Sequence, residues 1–263
     1  MDLGLKGQVA LVAASSKGLG KAIAMGLAKE GVDLVICARK PEKLAQAQQE
    51  IKQTGRKVLA VPTDLTDYTQ VQDLVNKTIT TFGKINILVT NCGGPPSGGF
   101  LDFSIEDWRK AIDLNLMSTI YLCKEVIPHM RGKNEGGRII MLTSVAVKQP
   151  IEGLILSNVA RAGVTGLAKS LANEFGKDNI LVNSVLPGYT YTERVEKLSK
   201  ALADKQGVEP EDITQGWAKQ NAVSRLAAPE EIADVVVFLV SRKASYLTGT
   251  AIQVDGGHAK ALL

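Results

Sequence analysis

The 263-residue chain predicts a doubly wound α/β fold, one parallel sheet with helices on both faces. Three observations carry that prediction. Short apolar runs of strand length alternate, from one end of the chain to the other, with segments whose apolar residues recur at helical spacing. The first run, Val9 to Ala13, ends in a glycine turn that opens at once into such a helical segment. No Pro-, Gly- or Ser-rich tract divides the chain, and 45% hydrophobic content in 263 residues supplies the core of one domain, residues 1–263.

Taken in order, Val9 to Ala13 is apolar throughout, as a strand covered on both faces must be. The turn Ser15-Ser16-Lys17-Gly18-Leu19-Gly20 leaves backbone N–H groups free at the start of a helix over Lys21 to Lys29, a seat for a phosphate or pyrophosphate. Gly18 and Gly20 permit the tight bend and the close approach of a ligand. A P-loop is excluded, because its glycine spacing is absent and Lys21 is followed by Ala22. Val32 to Ala38 is a second strand, Pro41 opens a helix to about Thr54, and Val58 to Pro62 is a third strand. Asp64-Leu65-Thr66-Asp67 begins a helix through about Phe82, Ile85 to Thr90 is a fourth strand, and a Pro/Gly loop follows from Asn91 to Gly99. Ser104 with Asp107 resembles a capping box at the head of a long helix towards Met130. Strands at Arg138 to Thr143 and Ile180 to Leu186 flank a helix over Ser157 to Phe175. A charged, amphipathic insertion at about 190–220 precedes a helix over Pro229 to Val240 and a last strand over Ala251 to Val254.

In a sheet of this Rossmann type, right-handed crossovers gather the loops at the C-terminal strand ends into one crevice at the switch in strand order. That places the glycine turn, Arg39, Asp64, Asn91 to Gly94, Ser144 and Pro187-Gly188 together. After the second strand, an acidic residue would accept from a ribose 2′-hydroxyl; Ala38-Arg39-Lys40 stands there instead. With Lys17, the local charge favours a 2′-phosphate, so NADP(H) is expected over NAD(H) unless Arg39 and Lys40 merely flank a loop. Asp64 suits either an adenine amino group or a helix cap.

The formal charge of +4 is interleaved along the chain, so nucleic acid and membrane are not expected as partners. The longest apolar run, Val235 to Val240, is far too short to span a bilayer. Three widely spaced cysteines, Cys37, Cys92 and Cys123, suit reduced thiols in the cytoplasm, an acidic Asp2 argues against a signal peptide, and two unclustered histidines argue against a metal site.

Together these motifs resemble the short-chain dehydrogenase/reductase family over nearly the whole chain, most of all members labelled 3-oxoacyl-acyl carrier protein reductases. The resemblance rests on Ala14 to Gly20, Asp64, Thr90-Asn91-Cys92-Gly93, Asn115 in Asp-Leu-Asn-Leu, Ser144, Pro187-Gly188 with Thr192, and Val254-Asp255-Gly256-Gly257. It implies a cofactor site built from Ala14, Ser15, Ser16, Lys17, Gly18, Leu19, Gly20, Arg39, Asp64, Leu65, Asn91, Cys92, Gly93, Arg161, Pro187, Gly188 and Thr192. Ala14 departs from the family's usual first glycine, and Cys92 from its usual alanine.

The larger departure is catalytic. The family's tyrosine, thirteen residues past the serine that is Ser144 here, is replaced by Ser157, and the lysine four residues further by Arg161. The implied catalytic set is therefore Ser144, Asn115, Ser157 and Arg161. Serine has no phenol acidity, and loss of a positioned general acid costs roughly 10²- to 10⁴-fold. An NADPH-dependent reductase of a carbonyl or acyl thioester with an altered catalytic pair follows. The alternatives are a proton donor moved to Tyr189 or Tyr191, and an NADP(H)-binding sensor or scaffold without redox chemistry. Within the insertion, Val195, Leu198, Leu202, Ile213 and Trp217 are available to face a substrate pocket or to pack between helices. By resemblance the assembly is a homodimer or homotetramer, with small residues Ala160, Gly163, Gly166 and Ala168 permitting close approach.

Overall fold

A computed structural model of the chain describes residues 2–131 and 136–261. Its elements run β1 (Val9–Val12), α1 (Gly18–Lys29), β2 (Asp33–Ala38), α2 (Pro41–Lys52), β3 (Val58–Pro62), α3 (Tyr68–Phe82), β4 (Ile87–Thr90), α4 (Ile105–Ile112), α5 (Ser118–Arg131), β5 (Gly137–Leu142), α6 (Ile155–Phe175), β6 (Ile180–Pro187), α7 (Glu193–Gln206), α8 (Pro210–Gln220), α9 (Pro229–Val240) and β7 (Ala251–Val254). The seven strands form one parallel sheet in the order β3-β2-β1-β4-β5-β6-β7. The order reverses between β1, which pairs Val9 with Asp33 on one side, and β4, whose Ile87 pairs with Ala10 on the other.

The period-two alternation of strands buried on both faces sends successive residues into two separate cores. Ala10, Val12, Leu34 and Ile36 join α1, α2 and α9 on one face. Leu11, Ala13, Val35 and Cys37 join α3, α5 and α6 on the other. β1, β4 and β6 are buried along their whole length, which is why their sequences read as near-continuous apolar runs, whereas the edge strands β3 and β7 are partly exposed.

Two helix starts show how local chemistry sets the loops around the crevice. Asp67, not Asp64, caps α3, accepting from the backbone N–H groups of Thr69 and Gln70. Ser104 and Asp107 form the reciprocal capping box of α4. The long helix expected from there to Met130 is interrupted. Between α4 and α5, Asp113–Met117 form a π-helical turn. Such single-turn widenings are rare and cluster at functional sites; this one turns Asn115 inward until it is 1% exposed.

The segment at 190–220 folds as a helical pair, α7 against α8. Of the small residues on α6, Ala160 and Ala168 are buried within their own chain, and a carbon added at Gly163 would meet Leu116 at 3.0 Å. These three pack within the chain, whereas Gly166 is exposed with nothing within 4 Å of the place a Cβ would take. No helix among the described residues is long and apolar enough to cross a membrane.

Candidate active site

The glycine turn bends through two left-handed residues, Ala14 at φ +48° and Gly18 at φ +56°. Gly18 adopts this at little cost, whereas Ala14 carries the strain of a Cβ in that region. A Cβ at Gly20 would lie 2.5 Å from the carbonyl oxygen of Ala14, so the start of α1 can approach the turn only with glycine there. Lys17 caps α1 without a side-chain hydrogen bond, and no acid lies in the first turn. The positive end of the helix is left open to an anion.

Around this turn the side chains divide by task. Ser15 is fully buried; its hydroxyl donates to the Val12 carbonyl and accepts from the Cys37 N–H, locking β1 to β2. Leu65 is buried in the core on the α3 face. Of these two residues only the backbone is left for a ligand. Asp64 Oδ1 accepts from the Thr66 N–H and hydroxyl, the turn role. Arg39 and Lys40 are exposed past the end of β2. Ser16, Gly18 and Leu19 are partly exposed, Leu19 packing against the core on the α1 face. Lys17 is met by Glu193, the first residue of α7, at 2.6 Å; Glu193 also reaches Lys197 at 2.9 Å and Lys43 at 3.7 Å. Lys17 first and Lys197 second hold its carboxyl at a pKa of about 2, well below the usual range. Thr192 caps α7 through the Val195 N–H, and a Cβ at Gly18 would sit 3.6 Å from its methyl.

Across the switch point, Asn91 donates to the Ala13 carbonyl at 3.5 Å, tying the end of β4 to the end of β1. The next residue, Cys92, donates its thiol proton to Asn115 Oδ1 at 3.2 Å, and Asn115 in turn donates to the Ala111 carbonyl on the wall of the π turn. Burial raises the Cys92 pKa against the opposing pull of the Arg161 charge, so the thiol stays protonated near neutrality. Gly93 opens onto free space. On the far side, Gly188 lies so close to Asp255 that a Cβ there would meet its Cα at 2.8 Å, which brings Pro187-Gly188 and the Asp255 loop together.

Arg161 and Ser157 form a pair of their own. One helical turn apart on α6, they share a face, and Arg161 Nε donates to Ser157 Oγ at 3.0 Å. Arg161 Nη1 donates to the carbonyls of Thr143 at 3.1 Å and Leu142 at 3.4 Å, beyond which Ser144 accepts from the Ala146 N–H. The guanidinium is thus fixed by three neutral oxygens. No ion pair involving Arg161 is present among the described residues.

A cavity of about 200 Å³ lies between the 97–99 loop, the 151–154 loop and the α7–α8 pair, with Glu152 and Lys205 in its wall. Leu198, Leu202 and Trp217 line it, as the pattern of the insertion allowed, while Val195 and Ile213 do not. Tyr189 also lines it, stacked flat on Trp217 at 4.6 Å and edge-on to His258 at 5.4 Å. Burial raises the Tyr189 pKa, which makes it a poorer acid than a free phenol. Tyr191 is 57% exposed. His258 is held by Asn221, and burial lowers its pKa.

Sequence reading passed over Arg194. It follows Glu193 on α7, and its Nη2 donates to the Pro95 carbonyl at 2.9 Å across the Pro/Gly loop. The available signal was its place four and eight residues before Leu198 and Leu202, one continuous stripe of a helix. All three cysteines are free, and among the described residues no cluster of metal-binding side chains occurs.

Comparison with known proteins agrees with this geometry. A family model described as enoyl-(acyl carrier protein) reductase matches residues 13–259. The oxidoreductase UcpA of Salmonella typhimurium is 36% identical over 258 residues, covering 96% of this chain and 95% of that protein. A 3-oxoacyl-[acyl-carrier-protein] reductase of Synechocystis is 34% identical over 255 residues, covering 96% and 97%. The crystal structure of L-sorbose reductase from Gluconobacter frateurii, complexed with NADPH and L-sorbose, superposes with a TM-score of 0.95 at 36% identity over the full length of both chains. A parallel sheet with this switch point, a glycine turn at the head of α1 and a matching family model across both make the chain a member of the short-chain dehydrogenase/reductase family.

Proposed function

We propose that the protein reduces a carbonyl to an alcohol with NADPH, using Ser157 and Arg161 where relatives use tyrosine and lysine. The observation that carries this reading is the Arg161–Ser157 hydrogen bond. With Nε occupying the serine oxygen, the hydroxyl proton of Ser157 is left to donate outward. The L-sorbose reductase likeness, solved with NADPH, supports the same chemistry.

A bound nicotinamide cofactor supplies the hydride; the rest falls to the chain. The open N-terminus of α1, with the backbone of residues 14–20, suits the pyrophosphate. Arg39, with Lys17 once released from Glu193, suits the 2′-phosphate. Asp64, the Leu65 backbone, Asn91, Cys92 and Gly93 line the path along the switch point, and Pro187, Gly188 and Thr192 close it. Ser144 and Ser157 donate to the carbonyl oxygen, and the fixed Arg161 charge stabilises the negative charge that grows there. Asn115, locked by Cys92 and Ala111, keeps the π turn against α6 and so holds the pair in place. Proton transfer from solvent completes the alcohol. The test is NADPH oxidation with ketones and a 3-oxoacyl thioester. Ser157→Ala and Arg161→Met should each lower kcat by roughly 10²-fold with little change in NADPH affinity for the serine variant. A Ser157→Ala variant as fast as wild type would remove the reading.

The assembly we propose is a homodimer or homotetramer. Phe100, Leu101, Ile105, Ile112 and Val159 are 36–93% exposed on or beside the adjacent helices α4 and α6, a patch of the kind that marks protein–protein contact. Light scattering at micromolar concentration that returned the 28.1 kDa monomer mass would contradict it.

A further inference from the structure

Glu193 joins three elements through one carboxylate. From the first residue of α7 it reaches Lys17 in the glycine turn at 2.6 Å, Lys43 in the first turn of α2 at 3.7 Å and, on its own helix, Lys197 at 2.9 Å. Lys17 and Lys43 follow β1 and β2, and the adenosine ribose of a dinucleotide lies past the ends of those two strands in a sheet of this type. The carboxylate is thus shared by the two cations that a 2′-phosphate would meet there. Its pairs are open to water, the side chains of Lys17 and Glu193 being 49% and 35% exposed, and pairs of that kind change an equilibrium only a few-fold. A phosphate brings nearly two charges and three acceptor oxygens against the single charge of the carboxylate, so it can take both lysines over.

What the exchange would move is set by the rest of α7. Beyond its head the helix packs chiefly on α8, and Leu198, Leu202 and Lys205 along it line the cavity. The next residue, Arg194, donates to the Pro95 carbonyl at 2.9 Å, so the same helix head also holds the loop after β4. We infer that Glu193 is a specificity-determining residue: a 2′-phosphate entering between Lys17 and Lys43 displaces its carboxylate and releases the head of α7, whereas a cofactor with a bare 2′-hydroxyl leaves that head tied to the nucleotide wall. A neutral hydroxyl has no charge with which to compete for the lysines, while a phosphate both attracts them and repels the carboxylate. The inference rests on the reading of the crevice as an NADP(H) site. It adds a link from the 2′-substituent to the helix pair over the cavity, which Arg39, exposed past the end of β2, does not provide.

The test is calorimetric titration of the full chain with adenosine 2′,5′-bisphosphate and with AMP, which differ only in the 2′-phosphate and carry no nicotinamide. The wild type should prefer the bisphosphate, and Glu193→Gln should tighten the bisphosphate a few-fold while leaving AMP unchanged. Hydrogen exchange over residues 196–203 of α7 is the second readout. In the wild type it should rise about threefold or more with the bisphosphate and stay unchanged with AMP, and in Glu193→Gln it should be raised already without nucleotide. A wild-type preference for the bisphosphate that Glu193→Gln leaves unchanged overturns the inference and keeps the NADP(H) reading. So does an equal gain for both nucleotides, or exchange in α7 that answers both alike. Equal binding of the two nucleotides by the wild type and by Glu193→Gln removes the NADP(H) reading and the inference with it.

Discussion

The two ends of the crevice are built by opposite means. At the nucleotide end, Glu193 bridges Lys17, Lys43 and Lys197 and Asp64 is closed into its own turn, while Arg39 stands exposed past the end of β2. At the proposed catalytic end, Arg161 is held in position by the Ser157 hydroxyl and backbone carbonyls and, among the described residues, enters no ion pair. At the first end Lys17 must therefore exchange an internal partner for a ligand, whereas at the second the guanidinium is already fixed before any ligand arrives.

The largest expected effect lies at the preorganised end. Arg161→Met removes the charge and the anchor of Ser157 together, and kcat/KM should fall by roughly 10²- to 10³-fold, measured as steady-state NADPH oxidation. A loss under fivefold would erase the distinction between the two ends. Next, Arg39→Asp places an acid where a 2′-phosphate is expected, and the NADPH-to-NADH affinity ratio should fall by about tenfold or more in a fluorescence titration. An unchanged ratio would mean that Arg39 only flanks the loop.

How far these sites could be read from sequence differs in the same way. The strand at Val58–Pro62, the helix at Pro229–Val240 and the strand at Ala251–Val254 were legible to the residue, because short apolar runs bounded by polar or turn residues and proline at a helix start mark their ends. The glycine turn and the shared face of Ser157 and Arg161 were legible because each is set by local sequence, the one by its glycines and the other by a spacing of four on a helix. The π turn was not, since a single widened turn barely disturbs helical periodicity and Asn115 sits in an ordinary amphipathic run. Arg194 read as one charge among many because its partner, Pro95, is 99 residues away. The Tyr189–Trp217 stack likewise depends on α8 folding back over the β6 loop, a tertiary fact.

Smaller effects sharpen the nucleotide end. Ala14→Gly relieves a left-handed alanine and should stabilise the fold by about 0.5–1 kcal/mol in a denaturant melt, part of the gain being offset by unfolded-state entropy. Destabilisation would show that the turn is not strained. Smallest is Glu193→Gln, which frees Lys17 and Lys43 and should tighten NADPH binding a few-fold. Because the Glu193 carboxyl is held at about 2, its ion pairs stay formed above the ordinary carboxylate range and are lost only as pH falls through that value. The gain should therefore be the same at pH 5 and pH 8; a gain confined to one of these would assign it to another group.

The central claim, that a serine–arginine pair performs the reduction without a phenol, is tested most directly by NADPH oxidation over a panel of ketones. Wild type is compared with the double variant Ser157→Tyr/Arg161→Lys. The wild type should show saturable turnover, and Ser157→Ala should lower it by roughly 10²-fold. NADPH binding with no turnover by the wild type, together with turnover by the double variant, would contradict it and leave a nucleotide-binding protein whose pocket accepts a carbonyl that the native chain does not reduce.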